Sequence, residues 1–340
     1  MTPADLSRTV ARAVRSAVAR GELCGVTVPD RVVVERTRPG GVGEYATPVA
    51  FRVGKGAEGG PRRVAEVLAG SLSREPEIRS VVVTGGGFLN FELLPASAGE
   101  LVREVAEKGA AYGFAPAPLP VEPVEPVQPV GPVDADADAD TDTGTPTDLR
   151  RRVVREVVVR LLRARGIADP YDGLDVAPLA RRDADAGARY GDQAARWAML
   201  SVPPAEAPAF PATLLAQTEG NPFFLVRYAH SRARALLRNA AQLGFAPEAG
   251  ATPDHHPVLR ALAEYPLVLE AAAHHRAPDR LARHLVTLGD ALLDLQHTVL
   301  PLGDEKPSAA HRSRLALVEA AGTVLAGGLS LLGIDAPETS

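Results

Sequence analysis

The apolar positions of the chain fall into two regimes, one with period two mixed with period 3.6, the other helical almost throughout. Residues 3 to 20 place Leu6, Val10, Ala13, Val14 and Val18 on one side of a helix, and Asp30 to Glu35 is a β-branched run bounded by Pro29 and the Arg38-Pro39-Gly40-Gly41 turn, which predicts a strand. Gly43-Glu44-Tyr45-Ala46-Thr47 and an apolar segment to Val53 follow, and Pro61 opens a helix over Arg62 to Leu72. Val81 to Thr84 and Phe88 to Leu93 are joined by Gly85-Gly86-Gly87, a pattern that predicts a hairpin, and Glu100 to Ala111 gives a helix ending near Tyr112-Gly113. Helices beside a small antiparallel sheet predict an α+β domain over residues 1–114.

Helical spacing dominates the second regime. Asp148 to Arg165 pairs Val153, Val154, Val157, Val158, Leu161 and Leu162 at steps of four, and Gly166 to Gly187 carries scattered Asp, Pro and Gly with no period. Gln193 to Leu200, Ala212 to Glu219, Asn221 to Arg238, Pro257 to Glu264, Leu267 to His275, Asp279 to Leu300 and Ser313 to Leu332 all read as helices with short Pro-containing joints. The expected architecture is therefore an α+β N-terminal domain followed by a mainly α-helical bundle, residues 188–340, with residues 149–187 as a basic helix and irregular connection. Between the domains, Pro120, Pro123, Pro126, Pro129 and Pro132 recur every third residue, and Asp134, Asp136, Asp138, Asp140 and Asp142 alternate with small residues. Such a segment forms no core, so residues 115–148 are expected to be a disordered linker whose proline part alone could span on the order of 40 Å.

Composition narrows the chemistry. The single cysteine, Cys24, excludes an internal disulfide and a cysteine-based metal cage, fits a reducing cytosol, and is expected to be a buried structural residue. The apolar runs are short or interrupted, so no membrane span is expected, and the arginine-bearing N-terminal helix lacks the apolar block of a secretion signal. His255-His256 and His274-His275 are adjacent pairs that point to different sides of a helix, so no metal site is expected. No lysine follows the triple glycine, which excludes a phosphate-binding loop there. Net charge is -5, made of +2 over residues 1–114, -8 over 115–148, +3 over 149–187 and -2 over 188–340. The folded parts lack the strong basic excess of a protein that grips nucleic acid by charge alone, so any RNA contact must be local.

The best local candidate is Asn221 to Arg238. Leu225, Val226, Ala229, Ala233, Leu236, Leu237 and Ala240 form its apolar stripe, while Arg227, Ser231, Arg234 and Arg238 recur on another side with Tyr228 and His230 beside them. A guanidinium row with aromatic neighbours suits phosphates and unstacked bases; it equally describes a solvated helix face. Seven arginines lie between Arg150 and Arg165, and Arg151 and Arg155 are candidates for phosphate contact on the same reasoning.

These residues carry a family resemblance. Gly43-Glu44-Tyr45-Ala46-Thr47, the Pro61 helix, Gly87-Phe88-Leu89-Asn90-Phe91 and Tyr112-Gly113 resemble the N-terminal additional domain of arginyl-tRNA synthetases. Asp192-Gln193-Ala194-Ala195-Arg196-Trp197, Asn221-Pro222, Tyr228-Ala229-His230, Val299-Leu300-Pro301, Arg314 to Ala320 and Leu331-Leu332-Gly333 are similar to that family's helical anticodon-binding domain. The family holds ATP with an H-x-G-H motif and a K-M-S-K-S loop. In this chain Thr145-Pro146-Thr147-Asp148 and Arg181-Arg182-Asp183-Ala184-Asp185 stand where those motifs belong, and Leu293-Asp294-Leu295 replaces aromatic and amide residues that precede Val-Leu-Pro. The resemblance implies a non-catalytic, cytoplasmic relative that lacks the catalytic domain and binds tRNA or a translation partner, with no cofactor unless the family's ATP-dependent arginine-tRNA ligase activity were retained. The alternative is a protein-interaction module that binds a synthetase or a copy of itself.

Overall fold

The computed structural model describes residues 1–29, 32–37, 40–94, 98–116, 149–168, 174–250 and 256–337, and these divide into two compact units, Met1–Ser97 and Ala98–Ser340. The linker expected over 115–148 lies outside the described residues beyond 116.

The N-terminal unit is α+β. It contains α1 (Pro3–Ala19), β1 (Glu35–Arg36), β2 (Tyr45–Thr47), α2 (Val49–Val53), α3 (Gly60–Leu72), β3 (Ile78–Thr84) and β4 (Phe88–Leu93). Thr2 and Asp5 close a capping box at the start of α1, each side chain bonded to the other's backbone N–H. The four strands pair antiparallel in the order β1-β2-β4-β3, with the hairpin β3–β4 turning at the triple glycine as the sequence predicts. Leu6, Val10 and Val14 of α1, Val64, Leu68 and Leu72 of α3, and Leu89 and Phe91 of β4 fill one core. The strand expected from Asp30 shrinks to two residues. Val32 and Val34 are buried, yet the Val32 and Val33 carbonyls accept bonds from the Ser7 hydroxyl at 2.6 Å and the Thr47 hydroxyl at 2.5 Å, so side chains occupy acceptors that a ladder would have used. Cys24 is exposed, contrary to expectation, with its thiol donating to the Gly21 carbonyl at 3.4 Å.

The second unit is helical: α4 (Ala98–Lys108), α5 (Leu149–Ala164), α6 (Ala186–Tyr190), α7 (Asp192–Leu200), α8 (Pro222–Gln242), α9 (Pro257–His274), α10 (Pro278–Leu295) and α11 (Ala309–Leu332). Among its described residues it has no strand. The expected limit of the first domain at residue 114 is corrected here, because Leu101, Val102, Val105 and Tyr112 are buried in the helical core, which moves the division to Ser97/Ala98. Two of the expected helices also change. Ala212 to Glu219 yields only a 3-10 turn over Ala212–Leu215, and α10 stops at Leu295 before a 3-10 turn over Gln296–Thr298.

The two helices expected on either side of Pro266 are one, α9, with Pro266 inside it. A proline at this position cannot donate to the carbonyl four residues back, that of Leu262. Tyr112 donates its hydroxyl to that carbonyl at 2.9 Å, so the acceptor freed by the proline is satisfied from another element and the helix continues. Helix α11 is long and apolar enough to cross a membrane by length and composition, and 78% of that window is buried inside the unit, as a central core helix requires.

Candidate functional site

Helix α8 starts at a built cap. The Asn221 side chain accepts from Phe223 N at 3.1 Å and donates to the Leu214 and Ala216 carbonyls at 2.9 and 2.8 Å, while Pro222 occupies the first helical position. The cap therefore locks the preceding turn to the helix. Leu225, Val226, Ala229, Ala233, Leu236 and Ala240 are buried, as the apolar stripe requires.

The opposite side is less uniform than its spacing suggests. Arg234 and Arg238 are exposed, and Arg227 is half-buried with its guanidinium 5.3 Å from the centre of the Phe223 ring. Phe223 in turn lies 6.1 Å from Trp197, so the cation caps an aromatic pair, and Arg227 Nε is buried with no hydrogen-bond partner. Tyr228 is half-buried and stacks on Phe224, with ring centres 5.5 Å apart and planes 13° from parallel. Phe224 is a member of the site that arginine spacing did not reveal; its i, i+4 relation to Tyr228 is the signal that finds it. Arg232 is a second missed residue, donating from Nε to Gln296 Oε1 at 2.7 Å and so tying α8 to the end of α10.

His230 and Ser231 do not join the row. His230 is buried, its Nδ1 lies 2.8 Å from the Pro337 carbonyl, and the Ser231 hydroxyl donates to the same oxygen at 3.3 Å. The residues after α11 cross α8 at this point. Gln193 holds that crossing segment, exchanging bonds of 2.9 Å with the Asp335 carboxylate and the Asp335 N–H. The polar side of α8 is thus split into an aromatic and guanidinium group at Phe224, Arg227 and Tyr228 and a pair of exposed guanidinium groups at Arg234 and Arg238, of which Arg238 already interacts within the unit.

On α5 the arginines separate in the same way. Arg151 and Arg155 are exposed and already interact within the unit, whereas Arg150 and Arg160 are buried. Arg150 donates to the carbonyls of Met199, Ala177 and Pro203 at 3.3, 2.8 and 3.0 Å, fastening the connection before α6 to the end of α7. Arg160 and Arg196 converge on Glu156, and Arg196 Nε donates to the Leu332 carbonyl at the end of α11 at 2.6 Å. These three arginines hold the bundle together, and burial lowers the pKa of Arg150 and of Arg160.

Near the start of α8 the surface is acidic. Burial, then the Asp294 and Glu219 carboxylates, raise the Asp290 pKa, which places three carboxylates in one field. Leu293 is half-buried and Leu295 buried, so no ring stands free beside exposed Asp294. His255 lies outside the described residues, His256 caps α9, and the His274 and His275 rings meet edge to face at 4.9 Å. Among the described residues no three His, Cys, Asp or Glu side chains converge as metal ligands.

Comparison with known proteins places this geometry. A family model described as the DALR anticodon binding domain matches residues 226–339, and one described as the arginyl tRNA synthetase N terminal domain matches residues 4–93. The chain is 49% identical over 118 residues to an arginine--tRNA ligase of Frankia alni, a match that takes in 35% of this chain and 21% of that protein. The chain thus spans about a fifth of the length of that curated relative. Among solved structures, the Thermus thermophilus arginyl-tRNA synthetase aligns over the whole of both chains with a TM-score of 0.54 at 14% identity, a likeness of fold. A putative arginyl-tRNA synthetase of Campylobacter jejuni aligns over 46% of this chain and 35% of its own with a TM-score of 0.39 at 20% identity. Residues 94–225, between the two matched domains, belong to neither match. The chain thus carries two domains that match those of arginyl-tRNA synthetases, an N-terminal domain over residues 4–93 and a DALR anticodon-binding domain over residues 226–339.

Proposed function

We propose that this chain binds tRNA through the outward side of α8 and does not itself charge it. The observation that carries the reading is the composition of that side: exposed Arg234 and Arg238 beside half-buried Arg227, Tyr228 and Phe224, on a helix almost wholly inside the DALR match. Guanidinium groups grip phosphate in a fixed fork, and a half-open aromatic pair offers a face to an unstacked base. The Asp290, Asp294 and Glu219 carboxylates repel the backbone from the other end of the helix, which directs the phosphates toward Arg234 and Arg238. Base reading is weak in this scheme, because Leu293-Asp294-Leu295 supplies no ring, and a lost stacking ring forfeits about 1 to 3 kcal/mol per base.

The absence of charging rests on residues 94–225. They contain neither an H-x-G-H motif nor a lysine-bearing loop, and their described residues contain no strand from which a nucleotide-binding sheet could be built. ATP would find no imidazole there to stabilise phosphoryl transfer, and the one lysine of the segment, Lys108, ends α4 and pairs with Glu104. The test is a titration of labelled tRNA across a range of salt. Binding should weaken with salt, and the double substitution Arg234→Gln with Arg238→Gln should lower the slope by about 2 and the affinity at every salt. Binding that ignores salt, or that ignores the substitutions, sinks the proposal, and ATP–pyrophosphate exchange above background refutes the non-catalytic part.

A further inference from the structure

The four-stranded sheet of the N-terminal unit ends on β3, which pairs with β4 on one side and, among the described residues, with no strand on the other. The backbone fixes which groups that open edge presents. Phe91 turns its carbonyl toward β2, accepting from Glu44 N at 2.8 Å, and the Thr84 carbonyl accepts from Gly87 N at 3.3 Å inside the hairpin. Phe91 lies opposite Val81 and Asn90 opposite Val82. Because peptide groups alternate along a strand, Ser80, Val82 and Thr84 address β4, while Val81 and Val83 turn their N–H and C=O groups outward.

Edge strands are commonly guarded by lysine, proline or a bulge. Here the irregularity and the only charge of the strand, Arg79, lie at its start, and Ser80-Val81-Val82-Val83-Thr84 carries none of these devices. Val82 is 41% exposed at the centre of this run and Phe88, opposite Thr84, is 44% exposed. The run is also self-complementary. Reversed about Val82 it reads Thr-Val-Val-Val-Ser, so an antiparallel copy places Ser80 opposite Thr84, Val81 opposite Val83 and Val82 opposite itself. Hydroxyl meets hydroxyl and valine meets valine, both favourable cross-strand pairs. Charge is compatible as well, because Arg79 comes to face Gly85 of the other copy and no charged side chain faces its own equivalent.

We infer that β3 is a self-association edge, at which two copies of this chain pair antiparallel across a two-fold axis through Val82 and join their sheets. The outward N–H and C=O groups of Val81 on one copy and Val83 on the other exchange hydrogen bonds, four in the symmetric pair. Val82 and its equivalent form the non-hydrogen-bonded pair at the axis, with Cα atoms about 4.5 Å apart. An isologous contact of this kind closes on itself and stops at a dimer. The linker is not the natural occupant of this edge, because proline at every third position from Pro120 to Pro132 removes the donors that a fourth-side ladder needs.

The experiment uses the full chain with exposed Cys24 replaced by serine, so that introduced thiols are the only ones. Val82→Cys should form a disulfide-linked dimer under mild oxidation, since about 4.5 Å lies within the Cα separation of natural disulfides. Arg79→Cys should not, because the register sets its equivalents about 20 Å apart. Sedimentation velocity should show concentration-dependent dimerisation of the unsubstituted chain, weakened at least about tenfold by Val82→Lys, which sets like charges face to face. Circular dichroism confirms that this exposed substitution leaves the fold intact. A chain that stays monomeric at high micromolar concentration overturns the inference. So does equal crosslinking at positions 79 and 82, or a dimer indifferent to Val82→Lys.

Discussion

Tyr112 makes the most informative single contact in the helical unit, because its hydroxyl stands in for a backbone donor that Pro266 lacks. Replacing Tyr112 by phenylalanine keeps the ring and its stacking on Tyr265, 6.0 Å away and 11° from parallel, and removes the bond to Leu262 O. Tyr112 is 1% exposed, so water does not readily replace that bond, and a buried acceptor left without a donor costs about 1 to 3 kcal/mol. The proline supplies the control. In Pro266→Ala the new N–H at position 266 can donate to Leu262 O within the helix, so Tyr112→Phe should then cost less than about 1 kcal/mol. A double-mutant cycle should yield a coupling of at least about 1 kcal/mol, and the unfolded-state effect of replacing proline is the same on both arms and cancels. Trp197 is the only tryptophan and is buried in this unit, so urea denaturation followed by its fluorescence reports the helical unit alone. Strict additivity of the two substitutions refutes the reasoning, as does a neutral Tyr112→Phe.

Three further outcomes follow from buried polar groups and use the same fluorescence assay. Glu156→Ala leaves Arg160 and Arg196, whose side chains are 6% and 9% exposed, without their shared carboxylate and should cost about 3 kcal/mol, while an unchanged midpoint removes the cluster from any structural role. Gly333→Ala forces a side chain onto a backbone with φ of 69° and sets its Cβ 2.6 Å from Arg160 Nη1 and Arg196 Nη2, so a loss of about 2 kcal/mol or more is expected and a neutral result would contradict the close approach. Burial pushes the His284 imidazole down to about 4, whereas in the unfolded chain it titrates near its ordinary 6.5. The unfolded state therefore binds the extra proton between those values, and stability falls as pH drops through the window, by about 3 kcal/mol once pH reaches 4. His284→Phe should remove that part of the acid sensitivity, and a variant that loses as much stability as the parent between pH 7 and 4.5 would show that the ring is not held neutral.

How far the fold could be read in advance depended on whether a position was decided locally. The start of α1 at Pro3, the Asn221-Pro222 start of α8 and the glycine turn between β3 and β4 are decided within a few residues, and each lies where the sequence puts it. The errors arise where a distant group intervenes. Pro266 should end a helix, and fails to because a tyrosine 150 residues away in separation supplies the missing donor. The valines after Asp30 have strand propensity, but Ser7 and Thr47 take their carbonyls. Tyr112-Gly113 falls before the compositional break, yet the ring packs on Tyr265, so the unit boundary precedes the linker rather than coinciding with it.

The candidate site obeyed the same division. Helical spacing correctly places Arg227, Ser231, Arg234 and Arg238 on one side of α8, because the angle between residues is a property of the helix alone. Whether such a residue is open depends on what the rest of the chain lays over it, and here a segment 106 and 107 residues away in separation covers Ser231 and His230. The cover changes what the side can do. Arg227 and Arg234 are seven residues apart, about 10 Å along the helix axis, and the covered residues lie between them. On the proposed tRNA-binding reading this side divides into a ring contact and a phosphate contact, and a ligand that uses both must bridge the Pro337 crossing. A single-stranded RNA with one unstacked base would meet that requirement; a continuous duplex laid along the arginine row would not.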